Sequence, residues 1–167
     1  MLDTALHSRC EERLKELLLP YPFTIEGFQV GLSTTRRRPL HVGGMPSPAL
    51  EGPSGVWIAT PEADYVFVDE GARGLHREHI VLHELAHMIC DHSGAPVLSH
   101  EDAAALLPSL DGATVARVLG RTRYSQAEER EAELLATLIG QRARCEPGRR
   151  LDPDVQALRD RLRATLG

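Results

Sequence analysis

Cysteine, aromatic residues and lysine are all scarce in this chain of 167 residues. Its three cysteines, Cys10, Cys90 and Cys145, form no C-x-x-C pair and are odd in number, which argues against a disulfide framework. One Trp, three Tyr and three Phe leave the core to Leu, Val, Ile and Ala. No apolar run approaches the roughly 20 residues that a bilayer crossing takes. The opening MLDTALHSRCEERL interrupts its apolar residues with charge, so it offers no signal-peptide core. A cytoplasmic protein that does not enter membranes is the expectation. An excess of positive charge is missing as well. The 19 basic residues against 24 acidic give a formal charge of −5, the wrong sign for a dedicated nucleic-acid binder. Lys15 is the only lysine, and the arginines are scattered along the chain, a skew expected of GC-rich coding.

What remains is an ordinary globular composition, 42% hydrophobic and 26% charged, at a length that suits one domain with its own core. Leu6, Cys10, Leu14, Leu17 and Leu18 recur every three or four residues, predicting an N-terminal helix over 4–19 that Pro20 and Pro22 stop. A sheet region is expected over 23–70. Phe28, Val30 and Leu32 alternate as in a strand, with a short helix as the other reading, and Leu40 to Val42 form a second extended piece. The Pro- and Gly-rich stretch 43–55 reads as a loop. Val56–Thr60 and Tyr65–Val68, separated by Pro61-Glu62-Ala63-Asp64, read as a hairpin. From about 75 to 91 the apolar period is helical, and Ser99 with Asp102 opens a short helix that ends near Pro108. Ser125 and Glu128 make a capping box for a long helix over about 126–144, and a charged C-terminal helix is expected over about 152–165. The order of helix, strands and helices is an α+β pattern, with a small antiparallel sheet packed on the 75–91 helix.

The residues with chemical content begin with His83-Glu84-Leu85-Ala86-His87. Histidines four apart share one helix face, so both imidazoles can reach one metal ion, while Glu84 stands about 100° round the helix, beside the metal. A carboxylate there can accept a proton from water and return it to a leaving amine. A catalytic zinc takes a third protein ligand. The metzincin spacing needs Gly at 90 and His at 93, where this chain has Cys90 and Ser93, and the deformylase Glu-Gly-Cys segment is absent. His92 lies roughly 140° from His87 round a helix and so points elsewhere.

The remaining source of a ligand is the 126–144 helix, with Glu128, Glu129, Glu131 and Glu133. Glu129, Ala132 and Ala136 share a strip whose small residues allow close packing, which favours Glu129. Glu128 is a rival whose direction also lies near the apolar face, although the capping box engages it. Glu131 and Glu133 are expected in solvent. Of the other candidates, His79 is expected to line the cleft or pack, because His79 and His87 would stand roughly 12 Å apart along the axis. His76 and His100 read as surface or capping residues. Tyr124 reads as a packing residue or a donor to an oxyanion, and Cys90 as a buried neutral thiol.

Leu82-His83-Glu84-Leu85-Ala86-His87, with Glu129-Arg-Glu-Ala132-Glu-Leu-Leu-Ala136 downstream, resembles the ImmA/IrrE family of zinc metallopeptidases, which carry an H-E-L-x-H helix and an E-x-x-A-x-x-x-A helix. The likeness extends more loosely to GVWIAT…YVFVDE, covering roughly 23 to 140, and is greatest to small variants from high-GC bacteria. Two departures, Ala86 where Gly is frequent and Leu135 where Phe is frequent, remove no ligand. The resemblance implies a zincin-like fold, Zn2+ held by His83, His87 and Glu129, and Glu84 as general base and acid. It also implies cleavage of a protein partner, often a helix-turn-helix transcriptional repressor of the XRE type.

Two other classes remain in view. A zinc-binding interaction module that regulates such a partner without cutting it would carry the same residues. DNA binding is the third class, since Val115-Ala-Arg-Val-Leu-Gly120 resembles the first half of a helix-turn-helix. The next helix, however, would bring four glutamates by position 133 towards the phosphates, which is unfavourable.

Overall fold

In the computed structural model, residues 2–45, 54–94, 100–108, 111, 113, 114 and 123–145 are described. The first helix, α1 (Leu2–Glu16), buries Cys10 and Leu14 four residues apart on one face. It stops before Leu17, and Leu18, counted as part of the apolar stripe above, is exposed.

The second element corrects the strand expected around Phe28. Residues Ile25–Arg36 are a helix, α2, that buries Phe28 and Leu32 and leaves Val30 exposed. Thr24 fixes its start, accepting the Gly27 N–H at 3.0 Å, with Glu26 in the first turn where the helix dipole favours an acid. Arg37 ends it in the left-handed region at φ 52, where the Arg38 N–H returns to the Ser33 carbonyl. Phe28 and Leu32 fit both a period of two and an i, i+4 step, and Val30 between them carries no burial.

Three strands follow: β1 (Leu40–Met45), β2 (Gly55–Ala59) and β3 (Asp64–Asp69). They lie in the order β1-β3-β2. The hairpin is as expected, with β2 antiparallel to β3 from Gly55↔Val68 to Ala59↔Asp64. β1 runs parallel to β3, from Leu40↔Asp64 to Met45↔Asp69. The sheet is therefore mixed, which corrects the antiparallel sheet expected above. The tight turn pairs β2 with one edge of β3 and leaves the other edge to β1, which points the same way as β3.

Side chains alternate along β3. Val66 and Val68 face the helices and join the main core, while Tyr65 and Phe67 face the opposite side. On that opposite side Met45, Val56 and Ile58 are covered by Leu107. Leu107 directly follows the short helix α4 (His100–Leu106), so the sheet carries apolar cover on both faces. Asp64 ties the hairpin turn to the end of α2. It accepts from Arg38 Nε at 2.8 Å and from the Trp57 indole at 3.1 Å, while Arg38 also donates to the carbonyls of Thr60, Pro61 and Ala63.

The long helices α3 (Gly74–Ile89) and α5 (Gln126–Arg144) complete the main core. Ala86 on α3 and Ala132 and Ala136 on α5 are fully buried, and these short side chains permit close helix approach. The capping box at the start of α5 is present in both directions. Among the described residues no helix is long and apolar enough to cross a membrane. The expected C-terminal helix over 152–165 and the Val115–Gly120 segment lie outside the described residues.

Candidate metal centre

Helix α3 projects His83 and His87 from one face towards α5, where Glu129 stands in the first turn. One ligand atom from each of the three lies within 4.8 Å of the others. The atoms that converge are His83 Nε2 and His87 Nε2, 3.1 Å apart, and Glu129 Oε2, at 3.4 Å from the first and 3.8 Å from the second. His87 is 1% exposed, whereas the Glu129 side chain is 49% exposed, so the group opens to solvent on the α5 side. A groove of about 550 Å3 lies there, lined by Leu6, His83, Glu129, Arg130, Glu133, Leu134 and Thr137.

Burial keeps His87 neutral. It lowers the ring's pKa to about 3, with the neighbouring His83 and His92 adding to the effect. A neutral imidazole keeps a lone pair free, which is what a metal ion needs. Tyr124, just ahead of α5, stacks on this ring with centroids 3.7 Å apart and planes 17° from parallel. The packing role read for Tyr124 is thus present in the structure.

Glu84 points from α3 towards β2. It is 6% exposed, and its carboxyl is pushed up to about 8 by burial, then by the negative charge of Glu129. The Trp57 backbone N–H partly opposes that shift. The carboxyl oxygen Oε2 is buried and has no hydrogen-bond partner. A carboxyl whose pKa stands near neutrality can both take up and release a proton, as a general base and acid must.

Each of the other acidic residues on α5 has its own task. Glu128 does not join the histidines. Its Oε2 accepts the Ser125 N–H at 2.7 Å and its Oε1 the Ser93 N–H at 3.0 Å. These bonds, the one from Ser125 first, hold its carboxyl down near 2. Of the two rivals it is Glu129 whose carboxylate lies with His83 and His87. Glu133 is 57% exposed but is not simply solvated, since it meets His79 Nε2 at 3.1 Å and His83 Nδ1 at 3.3 Å. This contact also places His79 at the rim of the site, outside the converging group. His76 is exposed.

Glu131 departs furthest from expectation. Its side chain is only 14% exposed, flanked by Arg9 and Arg13 of α1 at 3.6 and 3.8 Å, and its Oε2 lies 3.4 Å from His92 Nε2. His92 is outside the converging group, but it lies beyond the end of α3 and its Nδ1 meets His87 Nδ1 at 2.9 Å, which corrects the expectation that it points elsewhere. No local sequence signal announces either contact. Both depend on α1 docking beside α5 and on the turn after α3. Cys90, His92 and Glu131 form a second set of ligand-type atoms within 4.8 Å of one another. The Cys90 thiol is pushed up to about 12, chiefly by burial, in agreement with the neutral thiol expected.

Comparisons of the chain with protein-family models, with curated proteins and with solved structures give no match. The fold and the site therefore define an α+β protein with a candidate His/Glu metal group spanning α3 and α5.

Proposed function

We propose that this chain is a zinc-dependent endopeptidase that hydrolyses a peptide bond in a protein partner. The observation that carries the reading is the position of Glu84, a buried carboxyl with one oxygen unpartnered, on the same helix as two converging histidines. The donor set suits zinc. Two imidazole nitrogens and one carboxylate oxygen are borderline ligands of the kind that zinc takes in hydrolases, leaving a position open. The residues that would hold it are His83, His87 and Glu129. Zinc bound there would supply Lewis acidity, making water a stronger acid and polarising a carbonyl.

The chain's own residues supply the remainder. Glu84 accepts the proton from water and later delivers it to the leaving amine, for which a pKa raised towards neutrality is suited. Tyr124 holds the His87 ring by stacking, and Glu133 holds His83 through Nδ1. The groove beside His83 and Glu129 is the place for a peptide. The resemblance to ImmA/IrrE peptidases favours a helix-turn-helix repressor of the XRE type as the partner, and the chain's negative charge fits a protein that meets such a repressor without binding DNA itself.

The test compares wild type with Glu84→Gln, each loaded with zinc and incubated with casein and with purified XRE-type repressors. New N-termini are read by mass spectrometry. Wild type cuts and Glu84→Gln binds zinc equally but does not cut. If neither cuts, and both bind a repressor alike, the chain is a zinc-holding interaction module instead.

A further inference from the structure

We infer that His92 and Glu131 act as a positioning relay for His87, running from the two arginines of α1 to the metal centre. The inference rests on the zinc reading above and adds residues that neither the motif nor the ligand set contains.

The relay is built by a turn. Helix α3 ends at Ile89, Asp91 takes the left-handed region at φ 53, and the His92 N–H returns to the His87 carbonyl at 3.1 Å. The chain thus doubles back, and the His92 ring, itself 7% exposed, meets His87 edge to face with centroids 5.0 Å apart. Proton accounting then fixes every link. His87 presents Nε2 to His83 and Glu129, so a cation there takes that nitrogen's lone pair and the proton resides on Nδ1. Two nitrogens 2.9 Å apart share one hydrogen, so His92 Nδ1 is the acceptor. The proton of His92 is left on Nε2, the atom that faces Glu131 Oε2 at 3.4 Å. Arg9 and Arg13 flank the other oxygen of Glu131, and Arg13 also reaches the Ile89 carbonyl at the end of α3.

An outer partner of this kind orients a ligating histidine, fixes its tautomer and raises its basicity. Here the carboxylate acts through an intervening imidazole, and α1 fastens the far end. The rival use of the same atoms is a second cation held by Cys90, His92 and Glu131. Two arginines against Glu131 already supply positive charge there, which disfavours another cation.

Zinc affinity of the full chain, measured by competition with a chromophoric chelator, tests the relay. His92→Phe, which cannot accept a hydrogen bond from His87, should bind zinc about 10- to 100-fold more weakly than wild type, the range for outer partners of metal ligands. His92→Gln, whose side-chain carbonyl can accept from Nδ1–H, should recover most of that loss. Glu131→Gln should weaken binding by about tenfold. Thermal melts in excess chelator separate these effects from loss of fold. Should His92→Phe not fold, Glu131→Gln decides. Unchanged zinc affinity in the folded variants overturns the relay while leaving the zinc site standing. No recovery with His92→Gln, or a second zinc equivalent lost in Cys90→Ser, overturns it as well. A wild-type chain that takes no zinc overturns the zinc reading itself, a distinguishable result.

Discussion

Glu84 and Gly55 lie so close that a Cβ on Gly55 would stand 2.9 Å from Glu84 Cγ and 3.0 Å from its Oε1. The same Cβ would be 2.6 Å from Ile80 Cγ2, one turn earlier on α3. Strand β2 thus approaches α3 at a point where only glycine fits, and that approach shields Glu84 from water. Gly55→Ala should push β2 and α3 apart, costing about 1–3 kcal/mol as overpacking of a close-packed interior does. Denaturant unfolding of the two proteins measures it. On the proposed peptidase reading, in which Glu84 carries the proton, cleavage activity should fall further than stability alone accounts for.

Burial of Glu84 also sets a pH dependence. With its folded pKa raised from 4.5 to about 8, the group favours the fold in its protonated form. That contribution is fully present below the unfolded value and is lost as pH rises through the folded one. In excess chelator, wild type should therefore lose stability relative to Glu84→Gln between about pH 4.5 and pH 8, by an amount on the order of a few kcal/mol. Glutamine stays neutral throughout. Parallel melts across that range check the sign, and a gap between the two proteins that does not widen with pH would contradict it.

How far the sequence discloses this molecule depends on the range of each interaction. The motif helix and the capping box are local, fixed by residues three or four apart, and both are present where read. The capping box also bears on the candidate site, since Glu128 accepts the Ser125 N–H while Glu129 lies beside His83. Helix α2 is ambiguous in sequence because Phe28 and Leu32 satisfy two periods, and the structure adds a Thr24 cap that only a helix start uses. The direction of β1 is a long-range matter of which edge of β3 the hairpin leaves open, and no local pattern encodes it. Glu131 illustrates the same limit at the site. Arg130 beside it on α5 fits a solvated face, while the arginines that flank it belong to α1.

The α2–sheet junction depends on one buried acid. Asp64, its side chain 2% exposed, receives Arg38 and the Trp57 indole, with Arg36 at 3.6 Å. Replacing it by Ala leaves Trp57 without its acceptor and Arg38 without its counter-charge. Arg38 keeps a quarter of its side chain in water, so the cost should sit at the low end for a broken buried pair, about 3 kcal/mol. Equilibrium unfolding measures the loss. Asp64→Asn, which retains an oxygen for the indole, should lose less.

Thiol chemistry offers a probe of the core that needs no substrate. Cys145 is exposed, Cys10 is buried on α1, and Cys90 is partly buried at the end of α3. Burial raises the thiol pKa at both inner positions, at Cys90 to about 12, so little thiolate, the reactive form, exists there near neutrality. An alkylating reagent at pH 8 should label Cys145 within minutes and leave Cys10 and Cys90 unmodified until denaturant is added. Raising the pH towards 9.5 should speed Cys90 only in proportion to its small thiolate fraction. Intact-mass spectrometry counts the adducts, and peptide mapping assigns them. Rapid native labelling of Cys90 would mean that the α1–α3–α5 junction opens, and with it the wall formed by Arg9, Arg13 and Glu131 behind His92.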